Sequence, residues 1–152
     1  MSILAEATSP DLLFPELESR DVKGALEELA GKVARALPEL SAEELARGFV
    51  AREALGSTAL GGGLAVPHCK VAGIDRAYLA VAVSPQGVDF GATDGVPVRV
   101  LCAVLSPSDA PRLHLRLLAA ISRWARRPES VEALLRSRDR TVWMSQLQEA
   151  QP

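Results

Sequence analysis

Two short apolar runs constrain this chain more than anything else in it. Residues 77–84 and 98–105 are each rich in valine, alanine and leucine, and each is flanked by turn-forming residues. Runs of this kind are far too short to span a bilayer as helices. They match strands that are buried on both faces, so both belong in a central sheet. A sheet that is apolar on both sides needs helices to cover it, and the fold class expected is therefore α/β, with a mixed sheet covered by helices. At 152 residues and 16.1 kDa the chain fits one domain, residues 1–152, with a core at about 10–147.

The covering helices are readable from spacing and caps. Asp21 or Ser19 can cap a helix over residues 21–36 that carries Val22, Leu26, Leu29 and Val33 on one face, with Pro38 just beyond it. Ser41 and Glu44 form a capping box for a second helix, whose Leu45, Ala46 and Phe49 share a face and which ends near Ala54. Four glycines in residues 55–63 predict a loop, followed by a strand over residues 64–67. Residues 85–87 and 93–95 read as turns, and residues 88–90 as a brief strand between them. A helix is expected from about 110 to 127, capped by Ser108 or Asp109 and stopped by Pro128, then two more near 129–137 and 140–149. Residues 1–9 and 148–152 are expected to fray.

Charge and cysteine content narrow the function. With 17 basic and 19 acidic residues the formal charge is −2, which argues against a nucleic-acid surface and leaves a protein or a small anion as the partner. Cys69 and Cys102 lie in or beside apolar runs and form no framework, so they read as reduced thiols in a cytoplasmic protein. The first residues lack a basic export signal, and neither export nor membrane insertion is expected. His68, Cys69, Cys102 and His114 fall at no zinc-ligand spacing, and no metal or cofactor is expected. Cys102 reads as core rather than as a nucleophile. No glycine run is followed by Lys-Ser or Lys-Thr, which disfavours a nucleotide enzyme, and Asp89 and Asp94 read as turn residues.

The chemistry-bearing segment is Gly61-Gly62-Gly63-Leu64-Ala65-Val66-Pro67-His68. Pro67 pushes Val66 towards extended backbone, so His68 is expected at the mouth of a strand behind glycines that admit a ligand or other backbone. The second histidine, His114, falls on the apolar arc of its helix with Leu117, Leu118, Ile121 and Trp124, while Arg112, Arg116 and Arg123 face the other way. An inward histidine is either satisfied by one backbone bond or part of a site. Arg52 and Glu53 end the second helix and overhang the glycine loop. Arg52 there either suits the helix dipole or serves that loop, and Glu53 either pairs with a neighbouring base or does the same.

Arg52-Glu53, Gly56-Ser57-Thr58 and the run from Gly61 to His68 together resemble the enzyme IIA domains of the fructose, mannitol and nitrogen-regulatory class of the bacterial phosphotransferase system. The likeness continues through residues 88–98 and the proline loop and histidine-leucine helix of residues 107–118, and covers about residues 10–137. Gly62 stands where many members carry asparagine, and Cys69 where glycine or alanine is more usual. The resemblance implies the family's phosphotransferase and anion-transport-protein fold. It implies a phosphocarrier in which His68 accepts a phosphoryl group from an HPr-type phosphohistidine protein, as a phosphotransfer component rather than an independent turnover enzyme. His114 corresponds to the partner histidine and Arg52 to the arginine that attends the phosphoryl group, with Ser57, Thr58, Gly62 and Gly63 lining the pocket.

In physical terms, an ordinary histidine is mostly neutral at cytoplasmic pH and can attack phosphorus without a separate base. The product carries close to two new negative charges. Arg52 offers a permanent cation, and N–H groups of residues 61–63 an anion nest. His114 is expected to bond the phosphoryl oxygens or to orient His68, and oxidation of Cys69 to interfere. With no membrane or further phosphocarrier domain attached, a free-standing nitrogen-regulatory role is expected. The alternatives are a sugar-specific enzyme IIA that passes phosphate to an enzyme IIB, and a regulatory module whose binding surface is its output towards a target protein.

Overall fold

The two apolar runs pair antiparallel as the long central strands of a six-stranded sheet. A computed structural model describes residues 2–148. Strand β5 is Tyr78–Val88 and strand β6 is Val98–Pro107. Along β5, Leu79, Val81 and Val83 face one core while Ala80 and Ala82 face the other. That alternation is the two-residue period of a strand, and here both faces are buried.

Short strands complete the sheet. β1 (Leu13–Phe14) runs parallel to β5, β2 (Ala59–Gly61) pairs antiparallel with β3 (Leu64–Ala65), and both β3 and β4 (His68–Val71) run parallel to β6. β3 and β4 thus form one line beside β6, broken only at Val66 and Pro67. Across the break the Pro67 carbonyl accepts Val104 N–H at 2.9 Å.

Helices α2 (Val22–Ala36) and α3 (Ala42–Leu55) cover the face that carries Ala65, Cys69, Ala80, Ala82, Leu101 and Ala103. The other face, with Leu64, Val66, Val100, Cys102 and Val104, is covered by α1 (Ile3–Glu6), α4 (Pro111–Ala125), α5 (Glu129–Leu135) and α6 (Arg140–Gln148). The mixed α/β class expected from the sequence is the one observed.

Several local expectations are corrected. Residues 2–9 do not fray: Ser2 caps α1 by accepting Ala5 N–H, its hydroxyl donates to the Leu147 carbonyl at 2.6 Å, and Leu4 is buried. Residues 149–152, the end of the other terminus expected to fray, lie outside the described residues. The glycine-rich segment contains strand β2. Residues 85–87 do not turn, because β5 continues through them to Val88 with an irregularity in its register. Neither Ser108 nor Asp109 caps α4. Ala110 precedes it and Pro111 opens it, and proline suits that place because its missing N–H would have had no helical partner.

Candidate functional site

His68 opens β4 in the middle of the line beside β6, rather than standing at a strand mouth. Its Nδ1 lies 2.8 Å from the Val66 carbonyl and its Nε2 3.0 Å from Arg52 Nε. A carbonyl only accepts and a guanidinium only donates, so the two partners fix the tautomer: the proton is on Nδ1 and the lone pair on Nε2. The half-buried ring therefore presents one nucleophilic nitrogen, and that nitrogen faces a permanent cation.

Arg52 comes from the last turn of α3, on the opposite face of the sheet. It meets His68 at the start of β4, a strand that among the described residues pairs with β6 alone. A second nitrogen, Nη1, donates to the Gly56 carbonyl at 2.9 Å and holds the side chain across the end of its own helix. Glu53 accepts both the N–H and the hydroxyl of Thr58, at 2.8 and 2.7 Å. Ser57 Oγ donates to the Phe90 carbonyl at 2.6 Å. Gly61, Gly62 and Gly63 all have positive φ, which glycine adopts without a Cβ clash. Within this turn Gly62 N–H donates to Asp94 at 2.8 Å, and the Gly63 carbonyl accepts Arg99 and Val100 N–H. The bonds from Gly62 and Val96 hold the Asp94 carboxyl below its usual range.

His114 is buried on the inner side of α4, four positions into the helix. Its ring centroid lies 5.1 Å from that of His68, with the planes tilted by 59°. Ser106 Oγ, on β6, is 2.6 Å from His114 Nδ1. Burial pushes the His114 imidazole below its ordinary pKa, and the neighbouring His68 and Lys70 push it the same way. A neutral ring beside His68 results.

His68, His114 and Arg52 are thus brought together from β4, α4 and α3. Of the remaining residues singled out in the sequence, Thr58 and Gly62 have their N–H groups committed to Glu53 and Asp94, and the Ser57 hydroxyl is committed to Phe90. They hold the loop, and their donors do not point at a vacant anion cradle. Glu53 and Asp94, each readable from the sequence only as a pairing or turn residue, are the carboxylates that fix it. Ser106 was missed, since a serine before a proline carries no local signal of an imidazole eight residues on. Cys69 is buried against Gly48, and burial raises its thiol to about 12, so the thiolate needed for easy oxidation is suppressed.

Residues 6–150 match the family model described as "Phosphoenolpyruvate-dependent sugar phosphotransferase system, EIIA 2". A nitrogen regulatory protein of Pseudomonas aeruginosa is 44% identical over 119 residues, covering 78% of this chain and 77% of that protein. The crystal structure of nitrogen regulatory protein IIA-Ntr from Neisseria meningitidis superposes with a TM-score of 0.88 at 29% identity, covering 96% of this chain and 99% of that one. The Escherichia coli mannitol IIA, solved by NMR in complex with its phosphorylated enzyme IIB, shares the fold at 16% identity, with a TM-score of 0.72 over 91% of this chain and 94% of that one.

Proposed function

This chain belongs to the EIIA 2 family of the phosphoenolpyruvate-dependent sugar phosphotransferase system, and from that premise we propose that it is a single-domain phosphocarrier whose His68 takes a phosphoryl group from an HPr-type phosphohistidine protein. The observation that carries this reading is the double engagement of the His68 ring, with Nδ1–H on the Val66 carbonyl and the Nε2 lone pair against Arg52.

A new P–N bond forms at His68 Nε2 as the P–N bond of the donor phosphohistidine breaks, and the donor ring leaves with its electron pair. The Nδ1 proton stays where it is, and the Val66 carbonyl stabilises the positive charge that builds on the ring. Arg52 turns its donors from the consumed lone pair to the incoming phosphoryl oxygens, a charge-assisted contact. No base and no metal enter the step. Transfer then rests on positioning and electrostatics. Ser57, Thr58 and Gly62, whose donors are engaged within the loop, brace it rather than act as direct ligands.

A protein donor fits the surroundings. Leu55, next to Gly56 in the chain, is 84% exposed, and Leu115, next to His114, is 64% exposed, two apolar side chains that a docking partner would cover. The phosphoryl group then passes to an enzyme IIB or a regulatory target protein. The identity to nitrogen regulatory proteins favours the regulatory role in the cytoplasm. Among the described residues no helix is long and apolar enough to cross a membrane.

The test is incubation with phosphoenolpyruvate and the general phosphotransferase components, followed by mass spectrometry of the acid-labile adduct. One phosphoryl group is expected on His68, and His68→Ala is expected to take up none. Labelling that persists in His68→Ala would place the acceptor elsewhere.

A further inference from the structure

Ser106 is a buried polar side chain that the phosphocarrier step leaves without a task. It is fully buried on β6, beside Lys70 of β4 in the sheet, and its hydroxyl has a single partner among the described residues, His114 Nδ1 at 2.6 Å. Resting on the phosphocarrier reading, we propose that Ser106 is a positioning residue whose hydroxyl donates to His114 Nδ1, keeps the His114 proton on Nε2, and so makes His114 a hydrogen-bond donor to the phosphoryl group on His68.

The direction of the Ser106 bond follows from counting protons. If His114 Nδ1–H donated to Ser106 instead, the serine proton would be left without an acceptor in a fully buried site, where an unpaired donor is penalised. It would also turn the lone pair of His114 Nε2 towards an incoming dianion. With Ser106 donating, both atoms are satisfied and His114 Nε2–H is free for the phosphoryl oxygens. Two imidazoles at 5.1 Å and 59° are tilted rather than stacked, which leaves the edge of one ring able to address a group carried by the other. The two histidines are then set in opposite tautomers, His68 by a backbone carbonyl and His114 by Ser106. One offers a lone pair and the other offers a proton. The depressed pKa of His114 agrees with this, since its neutral form is the one that distinguishes the two nitrogens.

The experiment has two arms. In wild-type protein at neutral pH, nitrogen-resolved NMR of the imidazoles is expected to place the His114 proton on Nε2, with Nδ1 shifted as a hydrogen-bonded acceptor. A proton on Nδ1 would overturn the proposal without touching the assignment of His68 as acceptor. In the second arm, phosphorylation by phosphoenolpyruvate and the general components is timed for Ser106→Ala, Ser106→Thr, His114→Ala and the Ser106→Ala/His114→Ala double variant. Ser106→Ala is expected to slow uptake on His68 roughly fivefold, the size expected for one lost hydrogen bond. Ser106→Thr, which retains a hydroxyl, is expected to recover most of the rate. The double variant is expected to be no slower than His114→Ala alone, because Ser106 acts only through that ring. Losses that multiply in the double variant would reduce Ser106 to a packing residue and sink the proposal. If Ser106→Ala fails to fold, the wild-type spectrum decides alone. Failure of the parent reading looks different: His68→Ala would still be labelled.

Discussion

At the scale of single residues, two imidazoles of the same type are made different by their partners. The burial of His114, with His68 and Lys70 adding repulsion, predicts a titration midpoint below the ordinary 6.5. His68→Ala relieves only one of the two electrostatic contributions and leaves burial and Lys70, so its His114 midpoint rises partway and remains below 6.5. NMR titration of the ring checks both, and a wild-type midpoint at or above 6.5 contradicts them. A stability consequence follows with a definite sign. Unfolding returns the ring to about 6.5, so between the depressed native midpoint and 6.5 the unfolded chain binds the extra proton. The contribution of a neutral His114 is complete above that window and is lost as pH falls through it. Urea melts across the window are expected to show wild type losing stability faster on acidification than His114→Gln. At this scale His68 and His114 stand out in the sequence because the chain has only two histidines, whereas Arg52, one of 14 arginines, was singled out by the family resemblance. Ser106 was not legible, since its role depends on a neighbour that only folding supplies.

Among the elements, the packing of α3 on β4 sets how Arg52 meets His68. Two glycines in the helices on this face show how closely each is fitted. A Cβ on Gly31 in α2 would meet nothing within 4 Å, whereas one on Gly48 in α3 would come within 2.9 Å of Cys69 Cβ. Gly31→Ala is therefore expected to stabilise the protein by about 0.5–1 kcal/mol, the usual helical gain. Gly48→Ala is expected to lose that gain to overpacking, with a net destabilisation of up to about 2 kcal/mol. Arg52 lies one turn further along α3, so the same variant should weaken its bond to His68 Nε2, visible as a shift of that nitrogen in NMR. Equal stabilisation by both alanines would mean that α3 is not pressed against β4. Helix positions were readable because caps and periodicity are local: Asp21 and Ser41 cap α2 and α3 as expected. Of the short strands, β3 falls within the strand expected over residues 64–67, whereas β2 and β4 were not readable, because three or four residues carry no period and only pairing with β3 or β6 makes them strands.

For the molecule as a whole, the sheet separates two cores, and helices α1 and α6 together close one of them. The Ser2 hydroxyl meets the Leu147 carbonyl, the Ala7 carbonyl accepts Leu79 N–H, and Arg140 Nε donates to the Leu13 carbonyl at 2.8 Å. Trp143 is fully buried in that core, and its indole N–H is shared between the Leu134 and Ser137 carbonyls. Trp143→Ala is expected to cost about 3–5 kcal/mol in urea unfolding. A loss under 1 kcal/mol would mean that the C-terminal helices contribute little to the fold. By itself the sequence determined the α/β class, the places of the main helices and long strands, and which residues carry the chemistry proposed for the site. These depend on composition, spacing and caps within a few residues of one another. Tertiary structure alone decided that a guanidinium from the last turn of α3 meets the histidine that opens β4. It alone also set a serine of β6 against the second imidazole. Such contacts join residues that are distant along the chain, and their distances and proton directions are fixed only when both faces of the sheet are packed.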